Sequence, residues 1–251
     1  MTEAALATDK LDKSFGSLVV ASGISLTLPP GARHALIGPN GAGKTTLINL
    51  ITGMLPPDRG KVFLGGEDIT ALKPEERVRR GLVRTFQINT LFPDLSALEA
   101  VALAVCERRG DAGVWWRKLP GYREAIDEAH AILTSLRLAE VGFRPTYELA
   151  YGQQRLLEIA LALATRPKVL LLDEPAAGVP TDESGELFAA IEELSPDIAI
   201  LFIEHDMNLV FRFASRVVVM VGGRILVEGT PAEIGADQRV REVYLGRGHH
   251  G

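Results

Sequence analysis

"HALIGPNGAGKTTLINLITG", His34 to Gly53, is the stretch on which the fold turns. It reads as a short apolar strand, a glycine-rich loop and an apolar helix that Gly53 stops, with Pro56 and Pro57 just beyond. Within it Gly38 to Thr45, GPNGAGKT, satisfies the spacing G-x-x-x-x-G-K-[ST] in the strand-to-helix setting that gives this motif its meaning. Backbone N–H groups from Asn40 to Thr45 would converge on phosphate oxygens, aided by the positive end of the helix behind them. Lys44 is placed to reach the β- and γ-phosphates, and the Thr45 hydroxyl to hold Mg²⁺. The candidate nucleotide-binding residues are Gly38, Pro39, Asn40, Gly41, Ala42, Gly43, Lys44, Thr45 and Thr46. A nucleoside triphosphate is the expected ligand.

Two further runs, "KVLLLDEP" and "IAILFIEHD", are continuously apolar and end in acidic or polar groups, the pattern of parallel strands buried on both faces. Strands alternating with helices imply an α/β sheet, whose ligands sit at the carboxyl ends of the strands. Asp173 then falls where a carboxylate can hold a metal, directly or through water. Glu174, one residue on, is a candidate general base for the attacking water. His205 ends the neighbouring run and could orient water and phosphate, although a lone His is usually an ordinary surface or core residue. Gln87, in "VRTFQ", could touch both Mg²⁺ and water, or be an exposed loop amide.

The remaining sequence frames this core. Leu6 to Leu28 alternates apolar residues with Gly and Ser and suggests antiparallel strands, turned by "LPPG". A strand is expected at Val62 to Leu64 and a charged helix at Pro74 to Arg80, whose basic run reads as a solvated face. From about 91 to 150 the pattern is helical and rich in Ala and Leu, broken at "ERRGDAGVWWRKLPGY", which suggests an inserted helical subdomain. The expected division is thus 1–90 and 151–251 for the core and 91–150 for the insert. With 251 residues, 47% of them hydrophobic, the chain can bury a sizeable core. A net charge of -5 argues against a nucleic-acid partner. The single cysteine, Cys106, reads as a packing residue, and the first residues lack the basic start and apolar core of a secretory signal. The longest apolar runs are far short of the roughly 20 residues a membrane span needs, so any membrane association is expected to come through a partner.

One stretch does not belong to this site. "LAYGQQR", Leu149 to Arg155, is a second glycine-bearing turn opening a helix, with close backbone approach at Gly152 and unpaired N–H donors behind it. Phosphate loop, Gln87, "LAYGQQR", "LLLDEP" and His205, in this order and spacing, resemble the ATP-binding-cassette (ABC) ATPases over essentially the whole chain. That resemblance implies a P-loop NTPase (RecA-like) α/β core with an N-terminal antiparallel β subdomain and an inserted α-helical subdomain. It implies ATP and Mg²⁺ as ligands, with Lys44, Glu174 and His205 catalytic and Thr45, Gln87 and Asp173 at the metal. It places Phe15 against adenine, and makes Leu149, Ala150, Tyr151, Gly152 and Gln153 a signature loop that binds the ATP of a second ABC ATPase subunit. Two departures stand out. Ala150 replaces the usual Ser of LSGGQ, removing a hydroxyl donor typically worth about 0.5–1.5 kcal/mol, and Pro180 stands where Asp or Asn is usual in the loop after Glu174.

Tyr151, "DEPAAG", "IEHDM" and the ending "GTPAEI" to "REVYLG" look most like the ATPase subunits of branched-chain amino-acid importers. In that group a pair of ATPases, of like or sister chains, sits peripherally on the inner face of the plasma membrane under two permease subunits, and a periplasmic binding protein delivers the solute. Trp115 and Trp116 could pack against those subunits or cap their own helices. A lipopolysaccharide-export ATPase shares the "VYLG" ending but more often carries SGGE, and a soluble ABC switch usually carries two cassettes or a coiled coil.

Overall fold

A computed structural model of the chain describes residues 4–85, 92–110 and 122–245. It divides into two compact units, one of residues 1–82, 168–175 and 196–251, the other of residues 83–167 and 176–195.

The first unit contains two sheets. In the smaller, β1 (Leu6–Phe15), β2 (Leu18–Leu28), β4 (Arg59–Leu64) and β5 (Glu67–Asp68) pair antiparallel in the order β2-β1-β4-β5. The period of two is plain along β2, where Ile24, Leu26 and Leu28 are buried and Ser25 and Thr27 face out. The larger sheet runs β10 (Arg224–Gly229), β9 (Arg216–Val221), β3 (Arg33–Ile37), β8 (Ala199–Ile203), β7 (Val169–Asp173), β6 (Leu82–Arg84), and β6 leaves this unit after Leu82. Strands β9, β3, β8 and β7 are mutually parallel, and β10 returns antiparallel beside β9. Residues 199–203 are all buried, as both-face coverage of a parallel strand requires.

Helix α1 (Lys44–Thr52) comes after β3 and closes at Gly53, whose φ of +78° is the left-handed conformation favoured at helix ends. Its carboxyl end contradicts one sequence expectation. Arg77, on α2 (Pro74–Arg79), is not on a solvated face but 1% exposed. Its guanidinium donates to the carbonyls of Leu50 (3.0 Å), Ile51 (2.6 Å), Thr70 (2.8 Å) and Leu72 (3.1 Å). The negative end of the α1 dipole thus serves as the partner of a buried cation. Arg77 must also lie under Gly53, because a Cβ there would come within 2.7 Å of its Nε. We expect Arg77→Met to lose about 3 kcal/mol or more of stability, because the Ile51, Thr70 and Leu72 carbonyls lose the guanidinium at about 1–3 kcal/mol each, while Leu50 keeps the Gly53 N–H. Arg77→Lys should recover only part, since an ammonium cannot span the same fork. Denaturant midpoints measure both, and a loss below about 1 kcal/mol in the Met variant would remove the clamp from the account.

The second unit is helical. It includes α3 (Ala97–Arg109), α4 (Arg123–Ser135), α5 (Tyr151–Ala164) and α6 (Thr181–Glu192), and so reaches beyond the 91–150 segment. Ser96 caps α3, accepting from the Glu99 N–H while Glu99 reaches back to the Ser96 N–H. Arg108 ties α3 to α4 through a two-bond fork onto Glu128, both at 2.8 Å, and to the end of α5 through the Ala164 carbonyl. Leu98, Leu103, Tyr122 and Ile126 line an open apolar groove on α3 and α4, and Cys106 is buried on α3. Among the described residues no helix is long and apolar enough to cross a membrane. Trp115 and Trp116 lie outside the described residues.

Candidate functional site

The parallel strands set the geometry of the first unit. Leu36 on β3 and Asp173 on β7 both pair with Ile203 on β8, so the three strands end in one row. The segments leaving those strands therefore emerge at one edge of the sheet: the loop beginning at Gly38, the acidic pair ending at Glu174, and His205. This is the carboxyl edge, where α/β sheets bind ligands.

The loop at residues 38–43 owes its path to glycine at two positions. A Cβ on Gly38 would stand 2.2 Å from the Met220 carbonyl oxygen. Gly43 has φ +99° at the head of α1, and a Cβ there would meet the Val20 carbonyl at 2.6 Å. Asn40, Gly41 and Thr45 are exposed, Pro39, Gly43 and Thr46 partly so, and Ala42 is buried. Lys44 is 7% exposed, and its ammonium donates to the carbonyls of Gly38 (2.7 Å) and Pro39 (3.3 Å). Burial lowers its pKa, while the carboxylates of Glu174 and Asp173 pull it back up. The cation therefore lies within electrostatic reach of both acids.

Asp173 is the last residue of β7. Glu174 comes next with φ +50°, a conformation rare outside glycine, and donates its N–H to the Ile203 carbonyl at 3.1 Å. Backbone outliers of this kind concentrate at functional sites. The turn directs the carboxylate away from the strand, and its Oε1 lies 2.7 Å from His205 Nε2. Both side chains stay open, 42% and 46% exposed, where a water can reach them. Phe15, at the end of β1, is 53% exposed, with the Lys13 ammonium 5.8 Å from the centre of its ring. Gln87 lies outside the described residues.

In the second unit Leu149 is buried, Ala150 is the N-cap of α5, and Tyr151, Gly152 and Gln153 form its first turn. Ala150 offers no side-chain cap, but its N–H is satisfied by Gln153 Oε1 at 3.1 Å. Pro180 likewise heads α6 without a side-chain acceptor, and only its carbonyl takes the N–H groups of Glu183 and Ser184. Arg155 and Glu158, both 7% exposed, form an ion pair at 3.1 Å inside α5. Burial pushes the Glu158 carboxyl up to about 7 against the pull of Arg155.

Arg155 carries no motif of its own in the sequence, although its spacing from Tyr151 and Glu158 places all three on one helix face. Tyr244, on the helix Gln238–Leu245, has the pKa of its hydroxyl pushed up to about 12 by burial, with the Gly38 backbone pulling the other way. Nothing local in the sequence marks that contact.

Residues 21–177 match the family model described as ABC transporter, and residues 224–250 that described as branched-chain amino acid ATP-binding cassette transporter. The high-affinity branched-chain amino acid transport ATP-binding protein BraF of Pseudomonas aeruginosa is 39% identical over 98% of this chain and 99% of its own. The corresponding LivG of Escherichia coli is 38% identical, over 98% and 99%. Among solved structures, a nucleotide-free ATP-binding cassette from an ABC transporter superposes with a TM-score of 0.83 at 34% identity, covering 96% of this chain and 98% of that one. A cassette in its ADP conformation gives 0.84 at 33%, covering 97% and 99%. The phosphate loop, the acidic strand end and the near full-length identity agree: the chain belongs to the ATP-binding cassettes of ABC transporters, within the branched-chain amino acid group.

Proposed function

We propose that this chain hydrolyses ATP to power import of branched-chain amino acids, or a related small solute, across the inner membrane. The observation that carries the hydrolytic part is the Glu174–His205 pair beside Lys44 at the carboxyl edge of the sheet. In this reading Gly38 to Thr46 cradle the phosphates, Phe15 stacks on adenine, and Lys44 neutralises the β- and γ-phosphates. Glu174 takes the proton of the attacking water and His205 orients that water against the γ-phosphate. Thr45 and Asp173 supply a hydroxyl and a carboxylate, hard oxygen donors that suit Mg²⁺. When bound, Mg²⁺ would offset charge on the transferred phosphoryl group, and Gln87 is proposed as its further ligand.

The segment Leu149 to Gln153 at the head of α5 is proposed to bind the ATP held by a second ATPase subunit. The pair would lie under two permeases that receive solute from a periplasmic binding protein, and the apolar groove on α3 and α4 is a face of the kind such partners cover. The near full-length likeness to transport ATP-binding proteins supports the direction and solute class. Deleting the chain from its native cell should abolish high-affinity uptake of labelled leucine, isoleucine and valine, and restoring it should return uptake. Affinity capture from detergent-solubilised membranes should recover two permease chains. Unchanged uptake of those three solutes, with ribosomes or DNA captured instead, would sink the transport reading.

A further inference from the structure

Tyr151, Arg155 and the loop after Glu174 form a contact set that the nucleotide chemistry does not require. Arg155 stands one turn beyond Tyr151 on α5, its guanidinium carbon 5.3 Å from the centre of the Tyr151 ring. Its Nη2 donates to the Tyr151 hydroxyl at 3.1 Å and to the Ala177 carbonyl at 3.3 Å, while Nη1 donates to Glu158 at 3.1 Å. The Tyr151 ring lies on Gly178, where a Cβ would come within 3.0 Å of its hydroxyl oxygen and where φ is +79°. Gly152 is similarly confined, since a Cβ there would stand 2.8 Å from a Glu183 carboxylate oxygen of α6. Two glycines therefore let the start of α5 close onto residues 176–183, and one planar cation bridges the closed pair.

The bridge matters more in this chain because Pro180 leaves α6 without a side-chain cap. Within residues 176–180 the Val179 N–H donates to the Ala176 carbonyl, and the Pro180 carbonyl accepts from the Glu183 and Ser184 N–H groups of α6. A fork with donors in several directions is what joins a carboxylate along the helix, a hydroxyl one turn back and a carbonyl on another segment. A lysine reaches one of these at a time.

We propose that Arg155 is a positioning residue that ties the loop Ala176–Pro180 to the first turn of α5, so that both segments meet a second subunit as one piece. The consequence for turnover rests on the proposed pairing of subunits, in which the first turn of α5 serves ATP held by the partner. Glu158 keeps the guanidinium in place from behind, and its second oxygen, like Arg155 Nε, is buried without a hydrogen-bond partner among the described residues. The pair is thus only partly satisfied by its own ion pair, which leaves Arg155 dependent on Tyr151 and Ala177.

The test uses the full chain in three variants: Arg155→Lys, Tyr151→Phe, and the double variant Arg155→Met with Glu158→Gln, which avoids leaving a buried carboxylate unpaired. Backbone deuterium exchange should rise about tenfold or more at 177–179 in the Lys and double variants, the effect of losing a charge-assisted hydrogen bond, while amides at 157–164 stay protected. Tyr151→Phe, which keeps the ring on Gly178, should fall between wild type and these. At saturating ATP, kcat should drop about tenfold or more with KM within about twofold, because phosphate contacts in the same chain are untouched. Wild-type exchange at 177–179 in a folded double variant overturns the tie. If exchange rises but turnover is unchanged, Arg155 holds the loop without consequence for hydrolysis, and the positioning role is refuted. Full turnover by a wild-type chain that size exclusion shows to be a single chain under the assay conditions refutes instead the two-subunit reading, and the exchange result still decides whether Arg155 holds the loop.

Discussion

Replacing Glu174 with Gln is expected to lower ATP turnover by about 10²–10⁴-fold, the span a positioned general base contributes. Gln keeps the size of the side chain and a hydrogen bond to His205, so the 2.7 Å contact can persist while the negative charge goes. It also removes one of the two carboxylates that raise the Lys44 pKa, so nucleotide binding should not weaken. The expected signature is a kcat effect: a fall in turnover with ATP affinity preserved, and a dimer trapped with ATP that elutes earlier on size exclusion. Turnover within about threefold of wild type would take Glu174 out of the proton-transfer role, since even the weakest general bases give more. The positive φ at this residue adds a control. Gln tolerates that conformation about as well as Glu, whereas a β-branched Val would oppose it, and would lower stability together with activity.

Which parts of this site could be read from sequence depends on how far apart the interacting residues lie. The strand, loop and helix from His34 to Gly53 are a local pattern, each step fixed by neighbours a few residues away, and the fold realises it as β3, loop and α1. Glu174 and His205 lie 31 residues apart, yet they were legible as candidates because each ends an apolar run, and parallel strands bring such ends to one edge. Arg77 was not legible. Its basic neighbours give the same pattern on a solvated face, and nothing near it announces that its guanidinium donates to carbonyls 26 and 27 residues away. Arg155 fell between these cases, with a helix-face spacing visible in sequence but a loop partner 22 residues on that only folding supplies. The sequence also raised Ala150 and Pro180 as departures, and their cost takes similar forms, since each heads a helix without a side-chain cap. At Ala150 the Gln153 side chain satisfies the exposed N–H instead.

Lys44→Met should separate function from stability in the opposite sense to a core mutation. The ammonium is 7% exposed and its pKa is lowered chiefly by burial, so the folded chain carries a desolvation cost at this position. Removing the charge relieves that cost. The two carbonyls it serves are not equally affected, because Pro39 keeps the Ala42 N–H while Gly38 loses the lysine as donor. The nucleotide-free variant is therefore expected to unfold within a few degrees of wild type, or higher, as residues held for function at an energetic cost often do. With ATP the order reverses. Loss of charge-assisted contacts to the phosphates should raise Kd by about 10²-fold or more, near 3 kcal/mol. ATP at about 100 times the wild-type Kd stabilises wild type by about 2.7 kcal/mol, and at that concentration the variant should gain less than about 0.5 kcal/mol. Paired thermal scans with and without ATP and Mg²⁺ measure the difference directly. Equal upward shifts in both proteins would show that Lys44 does not bind phosphate, and a large loss of stability without nucleotide would show that its burial stabilises the fold.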